Sequence, residues 1–324
     1  LFKTQKFYQI DISILKDLGY DVLLSNRIFD SLLFWKYDIL FSYFYRYSFF
    51  AALLAKCFGK KTYFTGGIDS LDSDYASAFN YKIQALFFKL CYWVADSCII
   101  VSQSDLKNIF KVSSLKKKLS YSEHVINTKL FIADVPKEKI FTSIVWMGDE
   151  GNVVRKGVDK ALQIFAELKK IPEFVDYRFV IIGRKGEGEV LVRSIIDKYN
   201  LKGSVELKGE VSEEDKINLL KQSKYYFQLS LYEGFGLAAL EALCANNIII
   251  HSGKGGLANP IYKEQLLFDI DNDFDSELLK LVNKLACFTP ITSYDNLLEY
   301  YDIQRRKDDF EAIIVNGKSN YKLK

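Results

Sequence analysis

Short apolar runs that end at a glycine, each separated from the next by a helix-length amphipathic segment, constrain this chain more than any other feature. In the second half the runs cover residues 143–147, 178–182, 205–207, 225–229 and 247–251, and Gly148, Gly183, Gly209 and Gly234 stand at the ends of four of them. The segments between them, 158–170, 190–199 and 213–222, read as helices; Val158, Ala161, Leu162, Phe165 and Leu168 share one face of the first. Strands joined through helices pair in parallel with right-handed crossovers. That predicts an α/β, doubly wound sheet, and such sheets collect ligands at the carboxyl ends of their strands, where these glycines lie. Residues 268–271 read as one more short strand.

The first half repeats the alternation. We expect helices over residues 7–18, 46–58 and 77–95 and strands over 20–25, 37–42, 61–65 and 97–101, with Gly19 and Gly59 as helix stops. A sheet of this kind opens on a strand and a ligand-facing loop, so both are expected to precede the first helix and to lie outside this sequence. Residues 125–139 mix composition around a single proline and read as a linker. The 324 residues then divide into an N-terminal domain over 1–135, a C-terminal domain over 140–290 and a charged, helical tail over 291–324.

Composition narrows the setting. The 5 cysteines form no Cys-x-x-Cys pair and no signal peptide is present, so free thiols in a reducing cytoplasm are expected. Only His124 and His251 are on hand as imidazole ligands, too few to suggest a zinc site. The best candidate for a membrane span, residues 85–101, is interrupted by Lys89 and Asp96. Charge is uneven: residues 1–140 hold 19 Lys and Arg against 13 Asp and Glu, and the remainder holds 25 against 28. The basic half, which includes Lys116-Lys117-Lys118, is also rich in Phe, Tyr and Leu, a composition that fits an anionic membrane surface or an anionic acceptor as well as a solvated lysine face.

The C-terminal domain is organised around Ser230-Leu231-Tyr232-Glu233-Gly234-Phe235-Gly236-Leu237-Ala238-Ala239-Leu240-Glu241. A strand, a glycine turn and a helix deliver backbone N–H groups and the positive end of a helix dipole to one point, which outlines a phosphate or diphosphate site. Glu241 falls at the edge of the apolar stripe of Leu237, Leu240 and Cys244, so its carboxylate needs a partner. A second turn runs Gly148-Asp149-Glu150-Gly151-Asn152-Val153-Val154-Arg155-Lys156-Gly157. Here Arg155 and Lys156 are expected just before a helix, where the dipole disfavours cations unless an anion is present. A diphosphate would be that anion; paired to Glu150 or Asp159, the two would be surface cations instead.

Over Glu233 to Glu241 the sequence resembles, residue for residue, the donor-site signature of retaining GT-B glycosyltransferases of family 4, two glutamates separated by seven residues around a Gly-Phe-Gly turn. The turn carrying Lys156-Gly157 resembles the family's Gly-Arg turn followed by Lys-Gly, except that Asp149 stands where the arginine is usual. The resemblance implies two Rossmann-like doubly wound parallel-sheet domains facing across a cleft, with the tail crossing back to the first. It implies a nucleotide-diphosphate sugar, UDP- or GDP-linked, in the second domain, and an acceptor in the first, with no metal or other cofactor. Glu233 would position the donor sugar and Glu241 would hold ribose hydroxyls, while Gly236, Leu237 and Ala238 would give N–H groups to phosphate. Arg155 and Lys156 would offset the leaving charge, and Gly148, Gly183, Gly209, Gly234 and Phe235 would complete the donor surface. Gly66, Gly67 and Asp69, after the 61–65 strand, would serve an acceptor or form a plain turn; the histidine many relatives carry in this region is absent.

As in relatives, the expected setting is cell-surface polysaccharide, lipopolysaccharide or glycolipid biosynthesis. The acceptor would be a saccharide or lipid-linked and the chain would be cytoplasmic, peripheral to the inner membrane face, with no nucleic-acid partner. A non-catalytic nucleotide-sugar binding module is the alternative, motivated by Asp149 and the absent histidine. Two further patterns carry less. Gly234 to Ala239 meets a loose dinucleotide fingerprint, but His251 and Ser252 stand where its acid belongs. Asp72-Ser73-Asp74 and Asp271-Asn272-Asp273 have the spacing of a metal-binding aspartate pair but read as polar loops.

Overall fold

The computed structural model describes residues 5–132, 135–288 and 295–317. It divides into two compact units, one of residues up to Ile126 together with those from Tyr300 onward, the other Asn127–Glu299. The break falls at the start of the 125–139 segment, of which residues 133 and 134 lie outside the described residues, as do 291–294 and 318–324 of the tail.

In the first unit α1 (Lys6–Asp17) precedes β1 (Ile39–Tyr43), α2 (Tyr45–Cys57), β2 (Lys61–Thr65), α3 (Ala78–Val94), β3 (Ser97–Ile100), α4 (Gln103–Val112) and β4 (Leu119–Tyr121). The strands lie in the order β1-β2-β3-β4 and every neighbouring pair is parallel. Right-handed crossovers between sequential neighbours put α2, α3 and α4 on one face of the sheet. Side chains alternate accordingly: Phe64, Cys98 and Ile100 pack with Phe88 and Ile109 on that face, while Tyr63 and Ile99 pack with Ile14 of α1 on the other. Residues 20–25 are not a strand. Leu23 and Leu24 are 70% and 50% exposed and the segment has no strand beside it, so strand composition finds no ladder to join.

The second unit contains β5 (Glu138–Ile144), α5 (Glu150–Arg155), α6 (Val158–Leu168), β6 (Arg178–Ile182), α7 (Glu189–Lys198), β7 (Val205–Gly209), α8 (Glu213–Gln222), β8 (Ser223–Gln228), α9 (Leu237–Cys244), β9 (Ile248–His251), β10 (Leu266–Leu267) and α10 (Phe274–Cys287). Its order is β10-β9-β8-β5-β6-β7, parallel throughout. The chain works outward from β5 to β7, returns to β8 on the other side of β5 and works outward again. The reversal between β5 and β8 opens a crevice at their carboxyl ends. One sheet face is a stack of aromatic rings, with Phe141 on β5 set 5.1 Å from Phe227 on β8. The first strand starts five residues before the expected 143 and ends at Ile144. The last strand is Leu266–Leu267, not 268–271; Phe268 follows it, giving its N–H to His251 O at 2.9 Å.

After α11 (Asp295–Tyr300), the helix α12 (Ile303–Phe310) runs into a π-helical turn, Glu311–Val315, and packs Phe310, Ile313 and Ile314 with Ile14 and Leu15 of α1. Arg306 is 0% exposed. Its guanidinium grips Asp11 through two bonds, Nε to Oδ1 at 2.6 Å and Nη2 to Oδ2 at 2.9 Å, and gives Nη1 to Ser122 O at 2.6 Å. Cys57, Cys91, Cys98, Cys244 and Cys287 are free thiols.

Candidate functional site

The crevice between β5 and β8 is lined by a relay of polar side chains. On β8, Tyr225 and Phe227 enter the aromatic core, so Tyr226 and Gln228 take the opposite face. Tyr226 Oη accepts the Ile144 N–H at 3.3 Å and donates to Gln228 Oε1 at 3.1 Å. Burial pushes the Tyr226 phenol well above its usual range, which keeps it a donor. Gln228 Nε2 in turn donates to Ser230 Oγ at 2.8 Å and Glu233 Oε1 at 3.2 Å. The other partner of Glu233 is Lys156, whose Nζ bonds both carboxylate oxygens, Oε2 at 2.9 Å. Glu233 and Lys156 are 12% and 21% exposed at the side chain, so the pair is shielded yet reachable.

Glycines let the strand exits close in on one another. Gly157 has φ 67°, and a Cβ there would lie 2.0 Å from Leu229 O; this contact seats the start of α6 against the end of β8 and sets Lys156 beside Glu233. Leu231 N–H adds a bond to Arg155 O at 2.8 Å. Gly236, φ 87°, is the N-cap of α9, with Phe235 buried beneath the turn and Leu237 and Ala238 half-buried at the helix start. The first N–H groups of a helix have no helical carbonyl to bond. A third wall, Ser252 to Gly256 after β9, was not singled out from the sequence. Gly256 N–H bonds Glu233 O at 2.6 Å, and Ser252 Oγ bonds Ser230 O at 2.6 Å. The Gly253-Lys254-Gly255-Gly256 run following an apolar strand was the available signal.

The electrostatic argument for Arg155 and Lys156 is reversed by α5, a six-residue helix not anticipated from the sequence. Arg155 is its last residue and Lys156 its C-cap, where the dipole favours cations. The N-cap is Asp149, whose Oδ1 takes the Asn152 N–H at 2.6 Å, so the residue that departs from the family pattern is a helix cap. Arg155 bonds Asn152 Oδ1 through Nη2 at 2.7 Å and is paired with neither Glu150 nor Asp159.

Glu241 is 7% exposed, and its carboxylate is held by Lys216 of α8 at 2.8 and 2.7 Å; Lys216 also reaches Glu213 at 3.0 Å. Sequence reasoning required a partner for Glu241 but had no means of choosing this lysine. Gly183 and Gly209 join the ends of β6 and β7, Gly183 N–H to Gly209 O at 2.8 Å. Gly148 lies under the Trp146 ring, 2.7 Å from where its Cβ would be. Trp146 is 54% exposed with the Arg184 guanidinium 5.9 Å from its ring centre, a pair that carries no local sequence signal. His251 is buried: Nδ1 accepts the Gly253 N–H at 3.2 Å and Nε2 faces Tyr262 O at 3.1 Å, and burial lowers its pKa to about 4. Gly234 is half-buried between Glu233 and Phe235.

In the first unit Gly66 (φ 104°) lies at the carboxyl end of β2 against Phe44, itself at φ 64°, and Gly67 is half-buried; the Asp69 side chain lies outside the described residues. Both aspartate pairs have local partners. Asp72 Oδ1 takes the Asp74 N–H at 2.9 Å, Asp271 pairs with Lys254, and Asp273 caps α10. Among the described residues no group of three or more His, Cys, Asp or Glu is placed to hold a metal.

Comparison with known proteins adds to this geometry. Residues 151–285 match the family model of glycosyl transferases group 1. The chain is 32% identical over 163 residues to GDP-mannose:cellobiosyl-diphosphopolyprenol alpha-mannosyltransferase of Xanthomonas oryzae pv. oryzae, covering 44% of this chain and 40% of that protein. It is 30% identical over 105 residues to a human phosphatidylinositol N-acetylglucosaminyltransferase component, covering 32% and 21%. These alignments thus span less than half the length of either relative. Among solved structures, Anabaena Alr3699/HepE in complex with UDP superposes with a TM-score of 0.72 over 94% of this chain and 89% of that one, at 12% identity. At that identity the likeness speaks for the fold alone: two parallel-sheet α/β units of the GT-B glycosyltransferase type.

Proposed function

We propose that this protein is a retaining glycosyltransferase that moves a sugar from a nucleotide-diphosphate sugar to an acceptor hydroxyl. The observation that carries the reading is the shielded Lys156–Glu233 pair set beside the α9 N-terminus at the β5/β8 switch point. The diphosphate lies over Gly236, Leu237 and Ala238, where unbonded N–H groups and the helix dipole meet it. Lys156 exchanges part of its contact with Glu233 for the leaving phosphate, and Glu233 turns to the sugar hydroxyls. Charge-assisted bonds of this kind stabilise by about 1.5–3 kcal/mol each, so a leaving diphosphate is held without metal. The bond from anomeric carbon to phosphate oxygen breaks, the acceptor oxygen bonds that carbon on the same face, and its proton passes to the departing phosphate oxygen.

Glu241, oriented by Lys216, takes the ribose hydroxyls, and the exposed Trp146 ring beside Arg184 offers the base a stacking surface. The nucleotide is UDP or GDP, and the setting is surface-polysaccharide or glycolipid synthesis with a saccharide or lipid-linked acceptor at the cytoplasmic membrane face. The mannosyl- and N-acetylglucosaminyltransferase relatives, whose names include a diphosphopolyprenol and a phosphatidylinositol, support that setting.

The experiment is a thermal-shift titration with UDP, GDP, ADP and their sugars on the parent and on Glu241→Ala, followed by a transfer assay. A ligand at a hundred times its Kd adds about 2.7 kcal/mol, a shift of several degrees. Stabilisation of the parent by one nucleotide, lost in the variant, supports the donor site. No response to any nucleotide removes it, and response without sugar transfer or slow donor hydrolysis leaves a binding module instead.

A further inference from the structure

The outer side of α3 carries a line of side chains with no counterpart in the donor chemistry. Phe79, Leu86 and Trp93 are 71%, 54% and 70% exposed, and Lys82 and Lys89 are exposed between them. Spacings of three and four keep all five on one stripe, about 21 Å from end to end at 1.5 Å per residue. Beside it, α2 shows Tyr47 and Phe50 at 79% and 56% exposure, and the Phe49 and Phe87 rings, 6.0 Å apart, join the two helices. Both helices cover the same sheet face, so their outer sides form one surface. Neither contains a single Asp or Glu, while together they carry Arg46, Lys56, Lys82 and Lys89.

The geometry points to this surface as the place where the protein docks on an anionic lipid bilayer. Tryptophan, phenylalanine and leucine among lysines are the composition of a helix lying in the headgroup region, with apolar rings inserted and ammonium groups kept at the phosphates. The seven-residue repeat of Phe79, Leu86 and Trp93 would also suit a second copy of the helix. Charge argues against that: Lys82 and Lys89 would meet their own equivalents, with no carboxylate on α2 or α3 to answer them. Among the described residues no helix is long and apolar enough to cross a membrane, so contact through this surface is peripheral. The inference deepens the membrane-face part of the reading above and rests on it for its setting, but its chemistry is separate from the donor site.

The test is flotation of the full chain with vesicles of phosphatidylglycerol and phosphatidylcholine against phosphatidylcholine alone, comparing the parent with Lys82→Gln/Lys89→Gln and with Leu86→Ser/Trp93→Ser. Each lysine near an anionic surface is worth about fivefold in partitioning, so the lysine variant is expected to bind mixed vesicles about 25-fold more weakly. In a Trp35→Phe/Trp146→Phe background, Trp93 emission is expected to move to the blue on mixed vesicles only. The surface is overturned if the parent does not float, if it floats equally with both lipids, if both variants float undiminished, or if the variants abolish a dimer instead. The nucleotide response on the same preparations separates the two ideas: a chain that answers nucleotide and ignores vesicles loses only this surface, and the converse loses only the donor site.

Discussion

The two units share a plan of parallel strands and crossover helices, yet they bury charge in different places. In the second unit the shielded pairs, Lys156–Glu233 and Lys216–Glu241, cluster around β8 and α9, whose carboxyl edge and N-terminus meet at the switch point. In the first, the deepest pair, Arg306–Asp11, joins the returning α12 to α1 on the back of the sheet, far in sequence from its glycine turn. A buried ion pair is a poor way to gain stability. Its position therefore reports what the site needs: a fixed, exchangeable cation in one case, closure of a discontinuous domain in the other.

Breaking that contrast begins with the pair that only holds structure. We predict that Arg306→Ala, by leaving Asp11 buried and unpaired, costs the first unit about 3–5 kcal/mol. Trp35 and Trp93 report that unit and Trp146 the other. In urea the first two signals are expected to unfold early, with the Trp146 transition and the nucleotide response unmoved; a joint shift would show that the units do not melt separately. For the pair assigned to chemistry, Lys156→Met is expected to lower kcat for transfer by ~10²–10³, the usual loss when a positioned transition-state partner is removed. A rate within threefold of the parent's, ~0.6 kcal/mol, would take Lys156 away from the leaving group.

Acid sharpens the comparison, because each unit buries one histidine. His251 is held neutral with its pKa lowered to about 4, and burial, helped by Arg306 and Arg305, lowers that of His124 well below the ordinary 6.5. Above 6.5 both folded and unfolded forms are neutral and this stability is fully present. Between 6.5 and about 4 the unfolded chain takes up the proton and the fold does not, so stability falls, and below about 4 the loss levels off. For His251 the whole step is roughly 3 kcal/mol at 1.36 kcal/mol per pH unit. His251→Asn is predicted to flatten the pH dependence of the Trp146 transition alone, and a flattened Trp93 transition would contradict it. The smallest effect expected is that of Asp149→Ala, about 1 kcal/mol for a lost helix cap, read as a lower urea midpoint; an unchanged midpoint would mean the cap does not hold α5.

What the sequence made legible follows the range of the forces involved. Residues 61–65 and 178–182 are strands to the residue because their apolar runs are bounded by turns, and 213–222 is a helix because Ser212 caps it and acidic residues fill its first turn. Segment 20–25 has equal strand character, but a strand exists only with a neighbour. The helix α5, with a glycine and two valines in six residues, has little propensity of its own and depends on Asp149 and on the Gly157 contact with Leu229. At the site, Glu233, Gly236 and Glu241 sit within one local motif and could be read together. Lys216, 25 residues from Glu241, and the Gly255–Glu233 contact arise from packing between elements and leave no mark in the local pattern.

The Arg306–Asp11 pair also sets a clock. Its partners are 295 residues apart, so at a synthesis rate of 5–20 residues per second Asp11 leaves the ribosome about 15–60 s before Arg306 does. Throughout that interval the nascent first unit has a carboxylate without its guanidinium, and Tyr63 and Ile99 lack the cover of Phe310 and Ile313. The second unit, encoded entirely in between, has every strand of its sheet in hand before the first can close. Synthesis thus starts on one domain and completes the other, and the half-built face is the surface a ribosome-bound chaperone would meet.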